Sequence, residues 1–377
     1  MVGLAAYISL PFVEVNNTAF ANWAVERDNF VIKAIVTGLL GVASLPSDTI
    51  VTKVDVDTMT VNGRFLYTAA GERVVLRGVN EMFSASSDPT GKYTLPEIAK
   101  TGANAVRIMT QPSYPATSLD AIIRNTIANG MIPIVECHAA TGKWEKLDDC
   151  IQYWTRTDVA AVVRRHQRWV LVNIANEAGT EVSQSDYLAG YRDAIARIRS
   201  VGIEVPLVID GSDWGKEYRM LLNSWAPLNA ADPRHAIIVS AHSYWVGTED
   251  ERKVPYREII TRVTRDNIPF LLGEGPTAAG WDCKPSPYRW AMGELQRAQI
   301  GWLTWSWGLV PNGDCREENR YDVTDGGMFG SWKSKSGEAM MVSDPASIRH
   351  TSRRPCSISN AGASCVRPKA PRRTSRL

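Results

Sequence analysis

An α/β chain built as a closed parallel (β/α)8 TIM barrel behind an N-terminal hairpin is the fold this sequence predicts, on three observations. Eight apolar runs of strand length recur, at residues 74–80, 105–110, 132–138, 170–177, 206–210, 236–244, 269–274 and 301–307. Amphipathic stretches separate them, so strand and helix patterns alternate. The chain has 377 residues, long for one ordinary domain but normal for one barrel with extensions.

Residues 1–50 read as an N-terminal extension. The apolar run "FVIKAIVTGLLGVASLPS", 30–47, follows the charged "ERD" and is interrupted by Lys33. It is short for a membrane span and is similar to a secretory apolar segment, though it starts far from Met1. An upstream extension carrying a signal region and an apolar N-terminal helix both account for it.

The barrel domain is expected over 51–355. Its first part, "KVDVDTMTVNGRFLYTAAGERVVLRGVN", predicts a hairpin with turns at Asn62-Gly63 and Gly71, leading into the first buried strand. Of the helices, "SLDAIIRNTIANG" and "SDYLAGYRDAIARIRSVG" each begin at a Ser that can cap and end at Gly. The eighth helix falls within "KSKSGEAMMVSDPASI". Residues 356–377 lose periodicity, and the last twelve hold five basic and no acidic groups. A solvated, disordered tail is the expectation there.

Bulk charge excludes some functions. Lys and Arg number 42 against 40 Asp and Glu, a net charge of +2, so no global field points to nucleic acid or to a membrane surface. The six cysteines form no CxxC pair and there are only five His, so neither a metal site nor a cofactor is expected. An even cysteine count suits disulfides and, with the apolar segment, secretion. Cys283 and Cys315 fall in adjacent loops after the seventh and eighth strands. Cys137, pointing away from the barrel axis, can meet Cys150 on the next helix. Cys356 with Cys365 closes a tail loop. Buried free thiols are the alternative for the first two pairs.

In a parallel barrel the C-terminal strand ends form the active face, so polar residues there carry the chemistry. The second strand offers Arg107, the third Glu136 and His138, and the fourth Asn176 and Glu177. The sixth offers His242 and Tyr244, the seventh Glu274, and the eighth Trp305 and Trp307. The fourth and seventh strands face each other across a barrel mouth, and each run ends on a Glu. Two carboxylates flanking an aromatic-walled cleft are the equipment of glycoside hydrolysis.

In order and spacing, "LRGVN", "GANAVRI", "VECHAATG", "LDDCIQYW", "NIANEAG", "IDGSDWG", "AHSYW", "LLGEG" and "WLTWSWG" resemble glycoside hydrolase family 5 over roughly residues 60–350. The bacterial endo-β-1,4-mannanase branch is nearest in these motifs. The resemblance implies a retaining, endo-acting barrel enzyme with Glu177 as acid/base and Glu274 as nucleophile. It implies that Asn176 binds the sugar 2-hydroxyl, Arg107 supports the nucleophile, and His138 binds substrate. It matches His242 and Tyr244 to the sixth-strand pair and Trp305 to the platform beneath the sugar. Arg107 beside Glu274 is expected to keep that carboxyl ionised, and Glu177 is then expected to be held protonated.

The chain departs from the mannanase pattern at Ala178, Ala139 and Gly275-Pro276, where relatives often carry Trp, Asp and an aromatic. The shared motifs make β-mannan the expected substrate, the departures keep β-1,4-glucan as the alternative, and an inactive polysaccharide-binding barrel is the remote one. That last reading requires loss of a carboxylate, and both are present. The protein is expected to act as a secreted monomer on polysaccharide.

Overall fold

The computed structural model describes residues 57–313 and 315–359. The expected N-terminal extension, the tail beyond Ser359 and the Cys356–Cys365 pair therefore reach outside the described residues. Among those described, no helix is long and apolar enough to cross a membrane.

Strands β1 (Thr60–Asn62), β2 (Phe65–Tyr67) and β3 (Arg73–Val74) form an antiparallel ribbon. Its turns use Gly63 and Gly71 at φ 57° and 81°, the left-handed region that glycine enters without a Cβ clash. Eight parallel strands follow: β4 (Arg77–Glu81), β5 (Ala105–Thr110), β6 (Ile132–Cys137), β7 (Leu171–Asn173), β8 (Leu207–Asp210), β9 (Ile237–His242), β10 (Phe270–Glu274) and β11 (Gly301–Thr304). They close in sequence order, with β11 pairing β4. This is the expected (β/α)8 barrel.

Two apolar layers hold it. Residues such as Val106, Val135, Val172, Ile209 and Val239 point outward against the helices. Ala105, Ile134, Leu171, Val208, Ile238, Leu271 and Leu303 fill the interior. Met59, Leu66 and Val74 of the ribbon region join this inner cluster. So does Ile358, on a helical turn, Cys356–Ser359. The ribbon and Ile358 thus plug the barrel floor and leave the opposite mouth for loops. The turn corrects the expected start of the tail: Ile358 is apolar enough to be recruited to the floor.

Several boundaries differ from expectation. The fourth strand ends at Asn173, not at Glu177. Ile174–Ala178 stay buried, so the apolar run continues past the end of the ladder. Val74 belongs to the ribbon rather than to the first barrel strand. The helix Gln184–Ser200 is capped by Ser183, whose side chain accepts the Asp186 N–H, two residues before the expected Ser185. The helix Ala116–Ala128 starts behind Pro115 without a side-chain cap, placing Ser118 inside its first turn. Both end before the expected glycines, Gly130 and Gly202, at φ 72° and 77°. The eighth helix is short, Lys335–Glu338, and runs into a π turn, Ala339–Ser343.

Both expected disulfides within the described residues are formed. Cys137–Cys150 ties the end of β6 to the helix Leu147–Thr155, and Cys283–Cys315 joins the loops after β10 and β11.

Candidate active site

Arg107 is the hub of the barrel mouth. It projects inward from β5 and is 1% exposed. Its guanidinium donates to Glu274 Oε1 at 2.9 Å, Asp210 Oδ2 at 3.0 Å, Asn176 Oδ1 at 2.6 Å, Asn173 Oδ1 at 2.8 Å and Asn80 Oδ1 at 3.2 Å. One planar cation thus links β4, β5, β7, β8 and β10. A fork of five N–H donors is suited to that task. Burial alone would lower the Arg107 pKa, but Glu136, Asp210, Glu274 and Glu177 together raise it above its ordinary value.

Glu177 and Glu274 converge above this hub. One side-chain donor atom from each of Glu177, His242 and Glu274 lies within 4.8 Å of the others. Glu274 closes β10, where the register against β9 shifts between Leu272 and Glu274. Its Oε2 accepts the Tyr244 hydroxyl at 2.6 Å. Glu177 lies in the loop after β7 at φ 46°, a costly conformation for a residue with a Cβ and one that clusters at functional sites. His242 Nδ1 meets Glu177 Oε1 at 2.6 Å and faces Glu274 Oε2 at 3.6 Å and, through Nε2, Asp210 Oδ2 at 3.5 Å. Among the described residues this trio is the one convergence of three potential metal ligands. Its oxygens facing Arg107, Tyr244 and His242 are already engaged.

Two glycines make room for the imidazole. A Cβ on Gly215, at φ 73°, would fall 2.5 Å from the His242 ring, and one on Gly273 would fall 2.3 Å from Ser240 Oγ and 3.1 Å from His242 Nε2. Neither distance admits a side chain without displacement.

The charge balance reverses the expected asymmetry. Burial raises Glu274, the neighbouring Glu177 charge raises it further, and His242, Arg107 and Tyr244 oppose; the net direction is up. Burial would also raise Glu177, but the His242 hydrogen bond and charge outweigh it and hold Glu177 below its ordinary value. His242 is opposed by burial yet pushed up to about 9 by Glu274, Asp210 and Glu177. The expectation assigned Arg107 to Glu274 alone. In the fold Arg107 is shared among several acceptors, and His242 sits on Glu177 instead.

A cleft of about 200 Å³ opens over these groups, lined by His138, Asn176, Glu177, Trp214, Lys216, Tyr244, Glu274, Trp281, Trp305, Asn312 and Tyr321. Trp305 is 9% exposed and lies parallel to His138, with ring centroids 6.2 Å apart. Its indole N–H donates to Asn312 Oδ1 at 3.2 Å. His138 Nδ1 pairs with buried Glu136 at 2.9 Å. Burial pulls His138 down, but the Glu136 charge and hydrogen bond raise it overall.

All eight expected site residues, Arg107, His138, Asn176, Glu177, His242, Tyr244, Glu274 and Trp305, meet at this mouth. Other members escaped the sequence reading. Asp210 ends the fifth apolar run, and the strand-end rule applied to that run would have found it. Asn80 ends the first apolar run, where the same rule applies, and Asn173 is a polar residue inside the fourth, a usable signal. Trp214, Trp281 and Asn312 lie in irregular loops, where only the fold brings them to the cleft.

A profile of the family described as Cellulase (glycosyl hydrolase family 5) matches residues 67–309, more than half of the chain. A mannan endo-1,4-beta-mannosidase of Cellvibrio japonicus (strain Ueda107) is 28% identical over 318 residues, covering 81% of this chain and 70% of that protein. One from Salipaludibacillus agaradhaerens is 29% identical over 273 residues, covering 70% of this chain and 85% of that protein. The crystal structure of a beta-mannanase from Streptomyces thermolilacinus superposes with a TM-score of 0.70 at 25% identity, covering 80% of this chain and 99% of that one. The profile match, falling on the strands that build this paired-carboxylate mouth, shows that the chain belongs to glycosyl hydrolase family 5.

Proposed function

We propose that this protein hydrolyses internal β-1,4 bonds of mannan by double displacement, with Glu274 as nucleophile and Glu177 as acid/base. The observation that carries the reading is that an oxygen of one carboxyl lies within 4.8 Å of an oxygen of the other. Retaining enzymes hold this pair about 5–5.5 Å apart, whereas inverting ones need about 6.5–9.5 Å for a water. The similarity to mannan endo-1,4-beta-mannosidases favours mannan over the glucan alternative.

The chemistry follows from the contacts. A Glu274 oxygen attacks the anomeric carbon as the bond to the leaving oxygen breaks. Arg107 and Tyr244 orient the attacking carboxylate. The leaving oxygen takes its proton through Glu177, from the proton that Glu177 and His242 share across 2.6 Å. A water then enters, gives its proton to Glu177 and displaces Glu274, restoring both groups. Asn176, fixed by Arg107 and by Thr141 Oγ1 at 2.8 Å, stands beside Glu177 for the sugar 2-hydroxyl. Trp305 offers an apolar face to the pyranose C–H groups. The two disulfides support the further reading that the protein works in an oxidising, extracellular setting.

Initial rates on galactomannan and carboxymethylcellulose test the substrate, and a clear preference for the second replaces mannan by glucan. Rescue experiments test the roles. Glu274→Ala should lose nearly all turnover and regain it with azide, giving the inverted glycosyl azide. Glu177→Ala should keep turnover only on substrates whose leaving group needs no proton. Near-normal hydrolysis of polysaccharide by both variants would end the assignment.

A further inference from the structure

We propose that Trp281 is a second sugar platform at the rim of the cleft, and that the loop beneath it is braced to hold the indole in place. The inference rests on reading the cleft as a polysaccharide site. Its ligand is a pyranose next to the one being cleaved, on the same β-linked chain.

Trp281 is 63% exposed, a large apolar face left in water on the wall of the cleft. Its backbone, by contrast, is held on several sides. The Trp281 N–H donates to Tyr244 O at 3.2 Å, and Gly280 N–H donates to Lys284 O at 3.1 Å. The Tyr321 hydroxyl donates to Gly280 O at 2.9 Å. Arg252, 2% exposed, grips both Asp282 oxygens at 2.7 and 2.8 Å. Cys283 is bonded to Cys315, and Asn319 Nδ2 donates to Cys283 O at 2.8 Å. At Gly280 a Cβ would fall 2.1 Å from the Arg252 guanidinium and 2.4 Å from Trp245 O, so the loop sits hard against its support.

A rigid backbone under an uncovered indole is the arrangement of a stacking surface. The ring needs little further ordering when a ligand arrives, and the apolar C–H face of a pyranose matches it. The site also fixes which sugar is meant. The Trp281 ring lies edge-on to Tyr244, centroids 6.5 Å apart, and the Tyr244 hydroxyl is 2.6 Å from Glu274. Trp281 is therefore one side chain removed from the reacting centre, beside the sugar that Trp305 would carry.

The test is kcat/KM on β-1,4-linked manno-oligosaccharides of increasing length, for the wild type, Trp281→Ala, Trp281→Phe and Asp282→Asn. In the wild type kcat/KM should rise with length. Trp281→Ala should flatten that rise on the order of tenfold; Trp281→Phe should retain part of it. Asp282→Asn, which keeps the ring but weakens the Arg252 grip, should fall between wild type and Trp281→Ala. Thermal melts confirm that each variant is folded. A folded Trp281→Ala with the wild-type length dependence overturns the platform, and a wild-type profile for Asp282→Asn overturns the brace. If the wild type cleaves neither manno- nor gluco-oligosaccharides, the reading of the cleft itself fails, a result distinct from both.

Discussion

At the scale of single residues, the site depends on where one proton and one indole sit. The Glu177–His242 pair keeps its proton until pH rises toward about 9, well above the ordinary range of a carboxyl acting alone. The alkaline limb of kcat/KM should therefore belong to the pair. His242→Gln can still hydrogen-bond Glu177 but carries no exchangeable charge, so its alkaline limb should move down by a unit or more. Unchanged limbs in a folded variant would return the proton to Glu177 alone. Trp305 is open to a parallel test. Its removal should lower kcat/KM by about 10²-fold, or roughly 2.7 kcal/mol, with a modest fall in melting temperature. A large fall with normal kinetics would make it a packing residue, whose loss costs roughly 3–5 kcal/mol of stability.

At the scale of elements, the loop after β11 is fixed by a carboxyl outside the Arg107 cluster. Glu81, at the end of β4 and fully buried, accepts backbone N–H bonds from Gly308, Leu309 and Val310 as well as from Met82. Burial outweighs these bonds and raises it from 4.5 to about 7. The folded state then binds a proton more readily than the unfolded one. Its stabilising contribution is complete below the unfolded value of 4.5 and is lost as pH rises through about 7. By pH 7.5 the loss is on the order of 3 kcal/mol. Glu81→Gln removes this ionisation, so its melting temperature should decline less steeply between pH 5 and 7.5. Parallel curves for the two proteins would refute the account.

At the scale of the whole molecule, the barrel separates stability from chemistry. The ribbon and Ile358 close its floor, while the site occupies the loop-covered mouth. Two disulfides act at that mouth, closing sequence separations of 13 and 32 residues. Loop-closure entropy assigns them about 3 and about 4 kcal/mol, respectively, through the unfolded chain. Cys137→Ser with Cys150→Ser should therefore lower stability to unfolding by roughly the smaller amount. Cys283→Ser with Cys315→Ser should lower it by roughly the larger and also loosen the Trp281 loop. Denaturant titration of both double variants under non-reducing conditions is the check, and midpoints equal to wild type would contradict it.

The sequence by itself determined the barrel, because eight apolar runs alternating with amphipathic helices have few other ways to bury both faces of a parallel sheet. It also determined the two carboxylates, their strands and the residues around them, since polar groups at the ends of apolar runs are legible one residue at a time. It placed the ends of those runs too far along, because buried loop residues look like strand to a hydrophobicity pattern. Only the tertiary structure decided the electrostatics: Arg107 is shared among five partners, and His242 arrives on Glu177 from a strand 65 residues away. Only it brought Trp214, Asn312 and Trp281 to the cleft. Charge and exposure depend on distances through space, and a linear pattern of residue types does not contain them.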